Sequence, residues 1–418
     1  MKVVHVSTWD GAGGAGVAAY RLHAALLDAG ADSRMFVENK RCEDERVLAF
    51  RPAGGLCARL RRVARRVRIS AALGRYARTR PPGLELFSDP RTFYGAAPAR
   101  QLPPCDILHL HWVAQFVDYG EFFRRLPSRV RVVWTLHDMN AFTGGCHYDL
   151  GCGRFAAQCG ACPQLGSRSE NDLSRAGWRR KRDAFRRLRG RMHIVTPSHW
   201  MAEQVRLSSL LGEFAVTVIP NGVDAEQFAP RDPVACRSIL GLPSEARVLL
   251  FLAHSVDNRR KGFGFLRDAL AGLRGVKDLV LLSAGAGRPD VPAVLPHVHL
   301  GYVQGQRFLS AVYSAADLFV IPSLQDNLPN TVLESMACGR PVVGFEVGGI
   351  PDMVRPGETG FLVPPQDADA LRETILGALS DMDRLRAMSE RCRQTVLNDY
   401  TLARQAQRCL ELYRLLVD

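Results

Sequence analysis

Short apolar runs rich in β-branched residues alternate with helix-length amphipathic stretches from one end of the chain to the other. The runs that read as strands are KVVHVST, RMFVEN, DILHLHW, RVVWTLH, HIVTPS, VTVIPN, RVLLFLAH, LVLLSAG, HVHLGY, LFVIPS and PVVGFE. Between most of them lie stretches with apolar residues at helical spacing, such as VAAYRLHAALLDAG and NTVLESMACG. Buried strands separated by helices imply parallel sheets covered on both faces. VIPNGVDAEQFAPRD breaks the alternation, because its Pro and Asn-Gly stop any helix running through it. The 418 residues exceed what one core usually covers. The pattern therefore predicts an α/β chain of two Rossmann-like domains, 1–205 and 206–398, facing one another across a cleft. A ligand is expected at the strand ends of both.

The first strand runs into HVSTWDGAGGAGVAAYRLHAALLDAG, where Gly11, Gly13 and Gly16 spell G-x-G-x-x-G and Glu38 follows the next apolar run. Glycines there let backbone approach a phosphate, and the helix start offers N–H groups to an anion. In a dinucleotide fold the first glycine follows its strand almost at once. Here Ser7, Thr8, Trp9 and Asp10 stand after Val6. The spacing favours a phosphate- or sugar-facing loop, with a plain strand–helix turn as the alternative.

In IPSLQDNLPNTVLESMACGRPVVGFEVGGIPDMV a strand ends at Ser323, a polar loop follows, and a helix begins near Pro329. Asp326 lies in the loop and Glu334 about a turn inside the helix. Helix N–H groups, with Asn327, Leu328, Pro329, Asn330 and Thr331 leading into them, can hold a phosphate. The two carboxylates can then accept hydroxyl hydrogen bonds on either side, sugar on Asp326 and ribose on Glu334. The same spacing suits Glu334 as an acid complementing the helix dipole.

These motifs resemble the retaining GT-B glycosyltransferases of the group 1, or family-four, type. The resemblance spans nearly the whole chain: the glycine loop, DILHLHW, TLHD, VTPSHW, VIPNGVD, RRKGFGFL, GYVQ, AADLFVIPS, ACGRPVV, VGGIPDMV and GETGFLV. The closing NDYTLARQAQRCLELYRLL resembles the helix, here 399–418, that crosses back onto the first domain. The subgroup most resembled acts in bacterial exopolysaccharide, capsule and lipopolysaccharide assembly. The resemblance implies transfer from a nucleotide-diphosphate sugar to a saccharide or lipid-linked acceptor, with retention; because the D-x-D at Asp367 to Asp369 stands apart from these motifs, no catalytic metal is expected. It makes Lys261 the cation on the donor diphosphate, Glu334 the ribose ligand, and His137 the histidine near the transferred sugar. Tyr302 and Val303 resemble the loop that reads the base, and Gly13, Gly14 and Gly16 bring N–H groups towards phosphate and acceptor. Trp9, Asp10, Trp112 and Asp138 fall on the acceptor side. Two positions depart from the family pattern. Asp326 replaces the usual glutamate, and His254 or Ser255 replaces an arginine before Lys261, leaving Arg259 or Arg260 to supply that charge. An epimerase of the same architecture, or a sugar-nucleotide-binding protein with a decayed site, is the alternative. The D-x-D at Asp367 to Asp369 reads as a surface turn outside this constellation.

Cys146, Cys152, Cys159 and Cys162 form C-x5-C-x6-C-x2-C in a glycine-rich loop, a spacing that suits a closed structural zinc site. His147 is a substitute ligand, and packed free thiols are the alternative. The net charge of +13 is local. Nine arginines and no acid occupy residues 59–80, eight basic residues face Asp183 alone between 179 and 191, and the rest is nearly neutral. In LCARLRRVARRVRISAALGRYARTR, Leu56, Leu60, Val63, Ala64, Val67 and Ala71 share one helical face. Residues 56–80 thus suit either an anionic membrane surface or a face packed on the body. No nucleic-acid module accompanies the arginines, so nucleic acid is not expected. The apolar start of MKVVHVSTWD is too short for a signal peptide. The expected place is the cytoplasm or the inner face of the membrane.

Overall fold

A computed structural model describes residues 1–273, 278–292 and 295–417. It forms two units, Met1–Pro220 with Gln405–Asp418, and Asn221–Arg404. The first is built on β1 (Lys2–Trp9), β2 (Asp32–Asn39), β3 (Val47–Ala49), β4 (Ile107–Leu110), β5 (Arg131–Thr135), β6 (Met192–Thr196) and β7 (Ala215–Val218). These strands are all parallel, in the order β3-β2-β1-β4-β5-β6-β7. The unit boundary falls at Pro220, later than the expected 205, because Ala215–Val218 pairs with β6 and completes this sheet.

The second unit holds β8 (Arg247–Ser255), β9 (Leu279–Ala286), β10 (His297–His299), β11 (Leu318–Ile321), β12 (Val342–Phe345) and β13 (Gly360–Val363). They too are parallel, in the order β10-β9-β8-β11-β12-β13. The sequence pattern misses β3 and β13, whose three and four residues are too short to show an alternation.

Helices α1 (Gly13–Asp28), α2 (Leu56–Gly74), α3 (Ala97–Gln101), α4 (Tyr119–Phe123), α5 (Leu173–Phe185) and α6 (His199–Leu207) belong to the first unit. The second has α7 (Pro233–Ile239), α8 (Phe263–Ala271), α9 (Gln306–Ala315), α10 (Asn330–Ala337), α11 (Ala368–Ser380) and α12 (Met382–Asp399). The last helix, α13 (Leu402–Val417), starts at the end of the second unit and packs in the first from Gln405 onward.

Period-two alternation sorts the second sheet between two cores. Val248, Leu250, Phe319 and Ile321 enter one, and Leu249, Phe251, Leu318 and Val320 the other. In the first unit Val4, Val6, Leu108 and Leu110 meet Phe36, Phe116 and Trp134 in an aromatic core. The alternate positions on β1 and β4 carry His5 and His109, neighbours in register and both fully buried. One face at the centre of this sheet therefore carries imidazoles among buried aliphatics such as Val3, Ile107 and Val133.

Both sheets reverse their strand order in the middle, between β1 and β4 and between β8 and β11. In open parallel sheets ligands bind beyond the carboxyl ends of strands at such a switch point. The expected site residues cluster there in each unit.

Candidate active site

In the second unit the switch point is bounded by the loops after β8 and β11. The β8–β9 pairing slips between Leu252 and Ser255, which re-aims the end of β8. Residues Arg259–Lys261 then form a single tight turn, started by the Asn258 side chain accepting from the Arg260 N–H at 3.0 Å. Gly262 follows with φ +71°, and a Cβ there would strike the Pro322 carbonyl. Only glycine lets this turn lie against the end of β11. The Arg260 carbonyl accepts from the Leu324 N–H at 2.7 Å, sewing the two loops together.

That apposition delivers Arg260 and Lys261 to Asp326. The Lys261 Nζ lies 2.6 Å and the Arg260 Nη1 3.1 Å from the same Asp326 oxygen, and all three side chains are largely buried. Burial opposes the charge on Asp326, but Lys261 and then Arg260 outweigh it and hold the carboxyl at about 2. Of the two arginines before Lys261, it is Arg260 that reaches Asp326. Arg259 instead lines an open pocket with Arg267 and Asp268. In this arrangement Asp326 holds two cations, a role its hydroxyl-acceptor reading omits. On the far side, Gly348 at φ +57° lets the Gly-Gly turn meet the Asp326 backbone, where a Cβ would strike its carbonyl.

Asn327, Leu328 and Pro329 lead from this cluster into α10, which Asn330 and Thr331 open. Pro329 is the N-cap, with no side chain capping the helix start and no acid in its first turn. Glu334 is therefore past the first turn, which removes the dipole-complementing reading. It is buried and accepts from the fully buried Tyr313 hydroxyl at 3.0 Å, which fixes its position. Tyr302 is partly exposed, with its ring edge-on to His254 at 5.3 Å, and Val303 follows it half-buried. The cluster thus combines two cations, one carboxylate and an uncapped helix start, an arrangement suited to an anion. Asp367, and Asp381 of a second D-x-D, cap the starts of α11 and α12, so the expected surface turn is a helix cap.

In the first unit β1 runs through Ser7 and Thr8 to Trp9, so the glycine loop is shorter than expected and its spacing does not exclude a dinucleotide site. Glu38, the acid a ribose would need, is instead held by the Tyr94 hydroxyl at 2.7 Å. Gly13 opens α1, with Gly14 and Gly16 in its first turn. A Cβ on Gly16 would stand 3.1 Å from the Trp9 carbonyl, a close helix–strand approach that favours a glycine. Asp10 does not face an acceptor. Its carboxylate is buried and accepts from the Arg41 and Cys42 N–H groups at 2.8 to 2.9 Å, latching the end of β2, while the Arg41 guanidinium covers the Trp9 ring.

His137, Asp138 and Trp112 do come together. Trp112 Nε1 donates to Asp138 Oδ2 at 2.8 Å, and His147 Nδ1 meets the same oxygen at 2.6 Å. Burial opposes the charge on Asp138, but His147 outweighs it and lowers the carboxyl below its usual range. His147 Nε2 bonds the Ser88 hydroxyl at 2.9 Å. With both ring nitrogens engaged, it is not a substitute metal ligand. His137 lines a small cavity with His111, Trp112, Tyr119 and Asp138.

Behind His137 runs a chain that the sequence reading does not contain. His137 Nε2 shares a hydrogen bond with His111 Nδ1 at 3.1 Å, and His111 Nε2 with His5 Nδ1 at 2.9 Å. His109 stacks on His111 and bonds the Thr135 hydroxyl and the Tyr413 hydroxyl of α13. Burial is the main cause that keeps these imidazoles neutral, pushing His109 down to about 3 and His137 to about 4. A neutral His137 can accept or donate one hydrogen bond, and the chain fixes which nitrogen does so. The signal was present in HVST and LHLHW, where His5, His109 and His111 fall at alternating strand positions.

The two parallel-sheet units define the GT-B class of glycosyltransferase folds. The "Glycosyltransferase Family 4" profile matches residues 12–227 and that for "Glycosyl transferases group 1" matches residues 246–381. The chain belongs to glycosyltransferase family 4. A D-inositol 3-phosphate glycosyltransferase of Geodermatophilus obscurus is 33% identical over 196 residues, 42% of this chain and 42% of that protein. An alpha-maltose-1-phosphate synthase of Mycolicibacterium smegmatis is 30% identical over 246 residues, 53% of this chain and 62% of that protein. The chain spans about half the length of the curated relatives it matches. Among solved structures, Anabaena Alr3699/HepE in complex with UDP-glucose superposes with a TM-score of 0.65 at 15% identity, over 99% of this chain and 100% of that one. That likeness is one of fold.

Proposed function

We propose that the chain transfers a sugar, with retention, from a nucleotide-diphosphate sugar to a saccharide or lipid-linked acceptor in cell-surface polysaccharide assembly. The observation that carries this reading is the Arg260–Lys261–Asp326 cluster beside the uncapped start of α10, at a switch point of a family-four chain. A diphosphate binding there meets both cations, and Lys261 with the helix N–H groups stabilises the charge that develops as it leaves. Glu334, held by Tyr313, takes the ribose hydroxyls, and Tyr302 with Val303 borders the base. Neutral His137 bonds a sugar hydroxyl, and Gly13, Gly14 and Gly16 bring backbone towards phosphate and acceptor. Same-face attack follows, with a donor phosphate oxygen taking the acceptor proton. The relative solved with UDP-glucose supports a nucleotide-sugar donor. The phosphate charge is met by side chains and helix ends, so no catalytic metal is required.

A panel of UDP-, GDP- and ADP-sugars tests this reading. Donor turnover that rises with an added saccharide acceptor, and persists in EDTA, is expected. Turnover to an epimer without acceptor would make the chain an epimerase, binding without turnover a decayed site, and rescue by magnesium or manganese a metal enzyme.

The basic segment joins this proposal through α2, whose packing is the reverse of the body-facing reading. The side towards the body carries Arg65, Ile69, Leu73 and Tyr76, with Arg65 paired to Asp118 at 2.7 Å and Glu121 at 3.0 Å. The apolar stripe faces out: Leu56, Leu60, Val63 and Val67 are 73%, 59%, 57% and 61% exposed. Exposed Arg59, Arg61, Arg66 and Arg68 flank it, without an acid in the helix. That combination suits an anionic lipid surface, where each arginine adds about 1 kcal/mol. Among the described residues no helix is long and apolar enough to cross a membrane. We propose that the working chain lies at the inner face of the cytoplasmic membrane, held there by the exposed stripe and arginines of α2. The chain should sediment with phosphatidylglycerol vesicles at low salt and not with phosphatidylcholine ones, and Leu60→Glu with Val63→Glu should release it. Equal partition onto both lipids, or none onto either, would overturn the surface.

A further inference from the structure

We propose that Cys146, Cys152, Cys159 and Cys162 bind a single structural zinc ion in the first unit. The loop that carries them lies between β5 and α5, and all four line one small cavity together with Gly144 and Ser174. None is in a disulfide; Cys146 and Cys162 are buried, Cys152 and Cys159 half-buried. Hydrophobic side chains already anchor the loop, since Phe142, Tyr148, Phe155 and Leu165 are buried. Order alone therefore does not call for a metal; two other features around the loop point to one.

The first is the backbone at the C-x2-C pair. Cys159, Gly160 and Ala161 have φ of +32°, +138° and +41° in succession. For cysteine and alanine this left-handed conformation is strained, and it persists only where surroundings demand it. It turns the two cysteines towards one cavity and brings the Gly144 N–H onto the Cys159 sulfur at 3.2 Å. An N–H donated to sulfur is the kind of outer contact that supports a metal-bound thiolate.

The second is Lys181. It is fully buried, and its ammonium donates to the Asn140 and Thr143 carbonyls. Among the described residues no carboxylate forms an ion pair with it; its ammonium lies 5.5 Å from the Tyr119 ring centre, and Cys146 and Cys159 act on its charge ahead of Asp138 and Asp89. A buried cation without an anion is costly. Zinc held by four thiolates carries two negative charges, which would supply that anion.

Binding releases four protons, one from each thiol, and forms four Zn–S bonds. The thiols must rotate inward to do so. Among the described residues, the group whose ligand atoms already lie within 4.8 Å of one another is His5, His109 and His111. His5 bonds His111, and His109 bonds Thr135 and Tyr413, a hydrogen-bonded stack in which, of the three rings' nitrogens, His5 Nε2 alone has no partner among the described residues. Cys146 directly precedes His147, the partner of Asp138, so the clip would hold that end of the His137 network.

Elemental analysis of the full chain, purified without added metal, tests the site. About one zinc per chain is expected, released as a mercurial titrates the four thiols, and lost in Cys159→Ser with Cys162→Ser. Should that variant not fold, Cys152→Ser in cobalt-loaded protein should alter the thiolate-to-cobalt absorption band of the intact site. Folded protein with no zinc and reactive thiols, a disulfide among the four, or undiminished zinc in the double variant would each overturn the assignment.

Discussion

Lys261→Ala is expected to lose most sugar transfer while the chain stays folded. The lost charge-assisted contact to the donor diphosphate is worth about 1.5–3 kcal/mol, on the order of ten- to a hundred-fold in kcat/KM. Folding survives because Arg260 still pairs with Asp326 at 3.1 Å. Glu334→Ala should act similarly through donor affinity, leaving Tyr313 without its acceptor. Asp326→Ala should behave differently. It removes the carboxylate shared by two adjacent, largely buried cations, a loss of about 3–5 kcal/mol, so the second unit itself should melt earlier. Calorimetric donor titration and thermal melts of the three variants separate these outcomes. Near-normal donor affinity in both Lys261→Ala and Glu334→Ala would remove the donor site from the second unit.

Acid should unfold the first unit before the second. His5, His23, His109, His111 and His137 all have folded pKa values below the ordinary 6.5, with burial the leading cause in each. Asp44 beside His23 and Asp138 beside His137 oppose the shift without cancelling it. The unfolded chain therefore binds more protons than the folded one below pH 6.5. The stability these neutral rings contribute is complete above that pH and is lost as pH falls towards 4 and 3. Each imidazole subtracts up to about 1.4 kcal/mol per pH unit, so five together reach the scale of a whole domain's stability near pH 5. All five tryptophans lie in the first unit, so their fluorescence isolates this transition while circular dichroism follows both units. A stability profile level between pH 7 and 5 would contradict the neutral stack.

The sheets were legible because buried parallel strands announce themselves as β-branched runs, and eleven of them could be quoted from the sequence. The donor-side residues were legible because Lys261, Asp326 and Glu334 sit in short local patterns beside strand ends. What pairs with what was not. Whether Arg259 or Arg260 reaches Asp326 depends on how the loop turns at Gly262, a contact with Pro322 some sixty positions away. The resemblance put Asp10 on the acceptor side, yet its partners are amides on another strand's loop. The apolar stripe of α2 was visible, but amphipathicity alone does not say which side meets the protein. Arg65 and its two acids decide that, and they lie on different elements.

His109 and Tyr413 are 304 positions apart, yet their side chains meet at 2.5 Å in the buried stack. The second unit is thus spliced into the middle of the first, and the order of synthesis differs from the order of assembly. At ribosomal rates, roughly 10–40 s separate emergence of residue 220 from that of residue 405. Throughout that interval the nascent first unit lacks the phenol that caps its imidazoles. A substitution that removes the Tyr413 phenol would therefore strike the first unit, leaving the intervening second unit intact.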